Sequence, residues 1–325
     1  MSDLAGYAPL DIERDTLAVE AHFGLVGTRV EASWGSAYAR HAPTRTGEIA
    51  TVMLHGASGS ATGWTPLLET ARRYGSPILE PVLIDLPGWG DGRLTASATV
   101  VTADQISDLV RAVIDQLGYR RCRLVGHSMG GLIALHLASA APELVTRVGV
   151  VSPTSFAIIR SVEHPVREFR SVPAFTMLWR VMGALRALGG TGRALVRGAS
   201  AIGLMRVVFA PLFAHGFRMP ASVVRATVDG IDPHAFLTAA EVVRGYDARA
   251  LWSKISCPVD AVAGDRDVFV GADDLAELQR TIPQALVTVV PECGHFGLVE
   301  WPLRVLIGLG FAPAAVVHRP HGSEP

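Results

Sequence analysis

Between residues 123 and 135 a short apolar run, Arg123-Leu124-Val125, leads directly into Gly126-His127-Ser128-Met129-Gly130. A helix-forming stretch, Leu132-Ile133-Ala134-Leu135, follows at once. A chain that passes from buried strand to buried helix in so few residues must turn sharply. Only small residues let the two backbones come that close. Gly126 and Gly130 supply that approach and Gly131 adds room. Such a turn holds its central residue in a strained conformation and points the Ser128 hydroxyl out of the sheet, where a base can reach it. Gly-x-Ser-x-Gly alone is short enough to arise by chance. The strand before it and the helix after it give it meaning.

The same alternation runs through most of the chain. Residues 27–41 carry β-branched and aromatic residues around Gly35 and read as a hairpin. Thr51-Val52-Met53-Leu54 is a buried-strand run that stops at His55-Gly56, and a helix is expected near 64–74. Pro81-Val82-Leu83-Ile84 is a second run, ending at Asp85-Leu86-Pro87-Gly88. Ile106, Leu109, Val110, Val113, Ile114 and Leu117 have helical spacing, and Gly118 closes that helix. Strand runs at 122–125 and 148–151 flank a helix at 132–140. Alternating strands and helices imply parallel βαβ units with right-handed crossovers.

The alternation breaks over residues 152–250. Here helix formers dominate, Pro and Gly divide the stretch, and Leu178, Met182 and Leu185 form one apolar face. Asp232-Pro233 reads as an N-cap followed by a first-turn proline. Twelve arginines against six acids give this stretch a charge of +6, while the remainder is −7. The strand and helix pattern resumes at 258–263, with a helix near 272–280, a strand at 285–290 and a helix after Phe296. The tail from about Ala312 reads as loosely ordered. The expected organisation is therefore an α/β core, residues 1–151 and 251–325, interrupted by a helical cap at 152–250.

Composition bounds the function. Half of the 325 residues are apolar and 18% are charged, which suits a well-buried α/β domain. A net charge of −1 with no basic run gives no reason to expect nucleic acid. Of 29 basic residues only Lys254 is a lysine. Cys122, Cys257 and Cys293 lie far apart without metal spacing, and an odd count suits reduced thiols in a cytoplasmic protein. Met1-Ser2-Asp3-Leu4 opens no signal peptide. The apolar stretch at 201–213 is broken by Arg206 and Pro211, too short to insert stably in a bilayer.

Ser128 needs a base to take its proton. His295, in Cys293-Gly294-His295-Phe296, follows the last strand run and is the expected general base. His127 is nearest in sequence, but adjacent residues on the turn diverge. The base needs an acid to orient it. Asp265 and Asp267 both follow the strand ending at Ala263, and Asp267 is preferred because it lies deeper in the loop. Asp265 would then cap or brace the turn. A tetrahedral intermediate needs backbone donors. These are expected from the N–H of Met129 and from the loop His55-Gly56-Ala57-Ser58-Gly59, with Ala57 first and Ser58 second. This chemistry requires no metal or organic cofactor, and His318 and His321 in the tail are too few for a metal site.

Taken in order, these segments resemble the α/β-hydrolase superfamily from about residue 25 to 310. The resemblance rests on Leu54-His55-Gly56, Asp85-Leu86-Pro87-Gly88-Trp89-Gly90, the Ser128 pentad with Gly131, Ile255-Ser256-Cys257-Pro258, Gly264-Asp265-Arg266-Asp267 and Gly294-His295-Phe296. It implies a mostly parallel central sheet flanked by helices, with an inserted helical lid where residues 152–250 lie. It also implies that the fourth residue of Gly264-Asp265-Arg266-Asp267 is the acid, and that Asp85 is structural. A serine nucleophile sets the chain apart from the haloalkane dehalogenases and epoxide hydrolases, which use aspartate. Small carboxylesterases, ester-cleaving biotin-pathway enzymes, carbon–carbon bond hydrolases and haloperoxidase-like esterases are the similar groups.

Three functions fit this reading. The first is a serine hydrolase cleaving an ester, thioester or related acyl bond of a small molecule with an apolar body, suggested by the Leu, Val, Met, Phe and Ala of residues 152–250. The second keeps the scaffold but uses His295 as base in an elimination, a carbon–carbon cleavage or a cyclisation, since fold does not fix function. The third is a binding protein with a vestigial triad, against which the intact Ser, Asp and His set argues. Oligomeric state leaves no mark on the sequence.

Overall fold

The computed structural model describes residues 16–98 and 100–311. Its centre is a nine-stranded sheet. The strands are β1 Val26–Ala32, β2 Gly35–His41, β3 Ile49–Leu54, β4 Pro81–Asp85, β5 Arg93–Leu94, β6 Arg121–His127, β7 Val145–Val151, β8 Val259–Gly264 and β9 Ala285–Val290. Their spatial order is β1-β2-β4-β3-β6-β7-β8-β9, with β5 against β2. From β4 to β9 neighbouring strands are parallel. The expected hairpin is β1 and β2, with Ala32 opposite Gly35, and β2 runs antiparallel to β4. The two-residue β5 carries no sequence signal of its own.

Parallel strands are buried on both faces, which explains their unbroken apolar runs. Val52, Leu54 and Leu124 enter one core cluster, while Met53, Val125 and Val262 enter the other. Successive side chains thus alternate between two helical layers. The helix Ala103–Gln116 begins with Thr102 and Gln105 satisfying each other's backbone N–H groups. Gly118, at φ +77°, ends the turn after it.

Chain order reverses at β3, which lies between β4 and β6. Connections leave to opposite sides there, so a crevice opens beyond the strand C-termini. The loop after β3 and the turn after β6 meet at that crevice. From Val151 to Val259 the described chain forms helices and turns only, among them Phe156–Glu163, Pro173–Leu188, Gly190–Ala201, Leu204–Phe209, Ala221–Asp229 and Pro233–Glu241. Asp232 caps the last of these by accepting the Ala235 N–H at 2.8 Å, with Pro233 in the first turn. The expectations for residues 312–325, including His318 and His321, lie outside the described residues.

Candidate active site

Ser128 stands between β6 and the helix Met129–Ala140, at φ +50° and ψ −118°. A non-glycine residue held there costs about 1–3 kcal/mol, so its surroundings must hold it. The Ser128 N–H donates to Val151 O at 3.0 Å. Its carbonyl accepts from Gly131 N at 2.9 Å and Thr154 N at 2.9 Å. The glycines around it are obligatory for contact reasons. A Cβ on Gly126 would sit 2.3 Å from Gly130 O, and one on Gly130 would sit 2.1 Å from Leu54 O. The helix starts three residues earlier than residue spacing suggested, at the residue following the serine.

His295 and Asp267 arrive on the loops after β9 and β8. Nδ1 of His295 lies 3.1 Å from each Asp267 carboxylate oxygen. The two loops are stitched together. Arg266 N donates to Cys293 O at 2.9 Å, and Gly264 has no room for a Cβ, which would meet Cys293 O at 2.0 Å. Asp265 accepts the Cys293 N–H at 3.2 Å, a brace for the histidine loop. Asp267 Oδ1 also accepts the Phe269 and Val270 N–H groups at 2.8 and 3.2 Å. Burial would push the Asp267 carboxyl up. The charge and N–H of His295 and the Phe269 N–H outweigh burial and hold it below the ordinary carboxylate value.

His127 is also at the centre, in a different role. Its Nε2–H donates to the His295 carbonyl at 3.1 Å. Burial, with the neighbouring His295 ring, pulls its pKa down to about 3, so it stays neutral. Phe269 packs edge-on against the His295 ring at 4.7 Å between centroids, and Phe296 at 5.4 Å. The ring that meets Asp267 is therefore confined on several sides.

The loop after β3 is set by His55, which residue spacing did not single out. Its Nδ1–H donates to Gly56 O at 2.7 Å, and its Nε2 accepts the Leu86 N–H at 2.9 Å. Gly59 N donates to the same Gly56 oxygen at 3.0 Å. A planar trans peptide puts N–H opposite C=O, so fixing Gly56 O aims the Ala57 N–H the other way. A Cβ on Gly56 would lie 2.9 Å from Ser128 Cβ. Asp85 takes no part here. It is fully buried and accepts from Arg40 Nη1 at 2.7 Å, Ala61 N at 2.6 Å and Asp91 N at 2.8 Å.

Ala57, Ser128, Met129 and His295 open on one cavity with about 920 Å³ of space between its walls. Asp267 lies behind His295, outside the lining. Helices of residues 152–250 contribute Phe175, Leu178, Met182, Phe209 and Phe236 to the far wall. No Asp, Glu, Lys or Arg lines it among the described residues. A second cavity of about 600 Å³ shares Ala57, Ser58, His127, Thr227 and Phe296 with the first. Among the described residues no cluster of three or more His, Cys, Asp or Glu side chains is arranged to hold a metal.

The helical segment is fastened to the histidine loop. His295 N donates to Leu212 O at 2.8 Å. Glu300, fully buried, accepts Gly294 N at 2.7 Å on the histidine loop and Ala214 N at 2.8 Å on the helical segment. A charged residue in the otherwise apolar run Gly297-Leu298-Val299-Glu300-Trp301 is a sequence signal for such a clamp. Glu300→Ala leaves buried N–H groups unpaired, and should lower stability by about 3 kcal/mol. Urea unfolding monitored by circular dichroism measures it, and a loss below about 0.5 kcal/mol contradicts the clamp.

Residues 51–305 match the sequence model of the alpha/beta hydrolase family. The chain belongs to that family. One relative, the 2-hydroxy-6-oxononadienedioate/2-hydroxy-6-oxononatrienedioate hydrolase of Cupriavidus pinatubonensis, is 27% identical over 79% of this chain and 83% of its own. The protein of the same name from Burkholderia vietnamiensis is 35% identical, over 35% of this chain and 41% of its own length. The pimeloyl-[acyl-carrier protein] methyl ester esterase of Nitrosomonas europaea is 23% identical over 77% of this chain and 90% of its own. Among solved structures, a thermophilic esterase from Thermogutta terrifontis superposes with a TM-score of 0.65 at 20% identity, covering 88% of this chain and 96% of that one. Family membership makes the chain an enzyme of the hydrolase fold.

Proposed function

We propose that this hydrolase cleaves an ester, thioester or related acyl bond of an uncharged, largely apolar small molecule. Ser128 attacks the carbonyl, and His295 takes its proton and returns it to the leaving group. Asp267 holds His295 with Nδ1 protonated, leaving Nε2 free to accept. The N–H groups of Met129 and Ala57 receive the oxyanion. Water then releases the acyl group by the same route. Residues 152–250 act as the lid that walls the cavity, and the two adjoining cavities give the two arms of an ester separate places.

One observation carries this reading: a strained serine and a carboxylate-held histidine open on the same cavity, whose other walls are apolar. The lining also bears on the choice of substrate. The dienedioates named for two relatives carry two carboxylates, and a dianion in an apolar cavity without a cationic side chain is strongly disfavoured. Among the described residues, no arginine of residues 152–250 lines this cavity.

A panel of soluble esters checks the proposal. Neutral aryl esters of increasing acyl length should show kcat/KM rising with each added methylene, by up to a few-fold per group while the cavity has room. The half-ester of a dicarboxylic acid of equal length should be at least about 100-fold poorer. A preference for the anionic ester, or no turnover of any ester, overturns it.

A further inference from the structure

Helix Pro173–Leu188 is apolar on two faces. Phe175, Leu178 and Met182 line the cavity, while Met177, Val181 and Leu188 on the other side are 56%, 44% and 50% exposed. The helices that follow repeat the arrangement. Phe209 lines the cavity and Met205 is buried, whereas Leu195, Ile202, Leu204, Val207 and Val208 are exposed. A helix apolar all round belongs in a buried setting, and an exposed apolar surface of this extent marks a partner.

Charge identifies the partner. Residues 169–228 contain eight arginines and neither aspartate nor glutamate. Arg180, Arg186 and Arg197 are exposed and form no ion pair with any described residue. A second copy presenting the same face would bring two sets of arginines together at low dielectric, which opposes pairing. An anionic phospholipid surface satisfies both features, with headgroup phosphates for the arginines and acyl chains for the apolar side chains. No single described helix is long and apolar enough to cross a bilayer. The consecutive helical stretches 190–201 and 204–212 bend by 93° at their junction. Residues outside 152–250 carry −7, so an anionic surface attracts the helical face and repels the core, which sets the orientation.

We propose that the outer face of residues 173–208 docks on anionic phospholipid membranes and that an apolar substrate enters the cavity from that surface. The second half rests on the hydrolase reading above, and the first does not. Sedimentation of the full chain with vesicles tests the docking. Phosphatidylcholine alone is compared with phosphatidylcholine mixed with phosphatidylglycerol. The Val181→Glu/Val207→Glu double variant serves as the probe of the face, since neither residue lines the cavity. Circular dichroism and turnover of a soluble aryl ester report that the variant is folded.

The expected result is binding to the anionic vesicles at least about tenfold stronger than to the neutral ones. It should be lost at about 1 M salt, where the screening length is about 3 Å, and lost in the double variant. Absence of binding, equal binding to both vesicle types, or binding retained by the variant overturns docking. A concentration-dependent dimer that the double variant abolishes also overturns it, giving the face to a second copy. Turnover of soluble esters without vesicle binding refutes docking and leaves the hydrolase reading intact. Vesicle binding without any ester turnover does the reverse.

Discussion

Ser128→Ala should lower kcat/KM for ester cleavage by about 10⁵–10⁶-fold, leaving only the contribution of the oxyanion donors and the cavity. The substitution removes one oxygen and keeps the β-carbon, so the positive φ of residue 128 is no more strained than before. The backbone bonds to Val151, Gly131 and Thr154 do not involve the hydroxyl and survive. The variant should therefore unfold within about 1 kcal/mol of the parent. It should also lose all labelling by a fluorophosphonate that forms a bond to the serine oxygen. Turnover within about tenfold of the parent would sink the nucleophile assignment. Retained conversion of the natural substrate, with ester cleavage lost, would instead assign the chemistry to His295 as a base in an elimination or carbon–carbon cleavage.

Asp267→Asn should lower kcat by about 10⁴-fold near neutral pH, through the tautomer of His295. Oδ1 of Asp267 accepts two backbone N–H groups, from Phe269 and Val270. An asparagine keeps its carbonyl oxygen there and turns its amide donor toward His295 Nδ1. That nitrogen must then accept, the proton moves to Nε2, and the base toward Ser128 is lost. Asp265→Asn, whose amide oxygen can still accept the Cys293 N–H, should cost less than about tenfold and serves as the control. Equal losses in the two variants would contradict the assignment.

The same substitution has a pH signature. The Asp267 pKa is depressed in the folded chain, so its contribution to stability is fully present above the ordinary carboxylate pKa of about 4. That contribution fades as pH falls through the folded value. The stability gap between parent and Asp267→Asn should therefore narrow between neutral pH and about pH 3, as urea unfolding at both pH values would show.

The linear sequence by itself determined the strand and helix alternation and the tight turn at Ser128. It placed His295 and two candidate acids on the loops that follow the last strands. These are local matters: apolar runs bounded by Gly and Pro, and small residues where a strand passes into a helix. The sequence also favoured Asp267 over Asp265 as the deeper in its loop, and the tertiary structure supplies the physical reason, because which carboxylate meets His295 depends on the neighbouring loop. Cys293 N–H claims the first and His295 Nδ1 the second. Likewise, composition put a charge of +6 on residues 152–250 but could not say where it points. Packing turns Phe175, Leu178, Met182 and Phe209 inward against the Ser128 cavity and leaves the exposed arginines on the outside. The clamps made by His55, His127 and Glu300 are equally tertiary. Each joins segments far apart in the chain, and a buried polar group acquires its role from the partner folding brings to it.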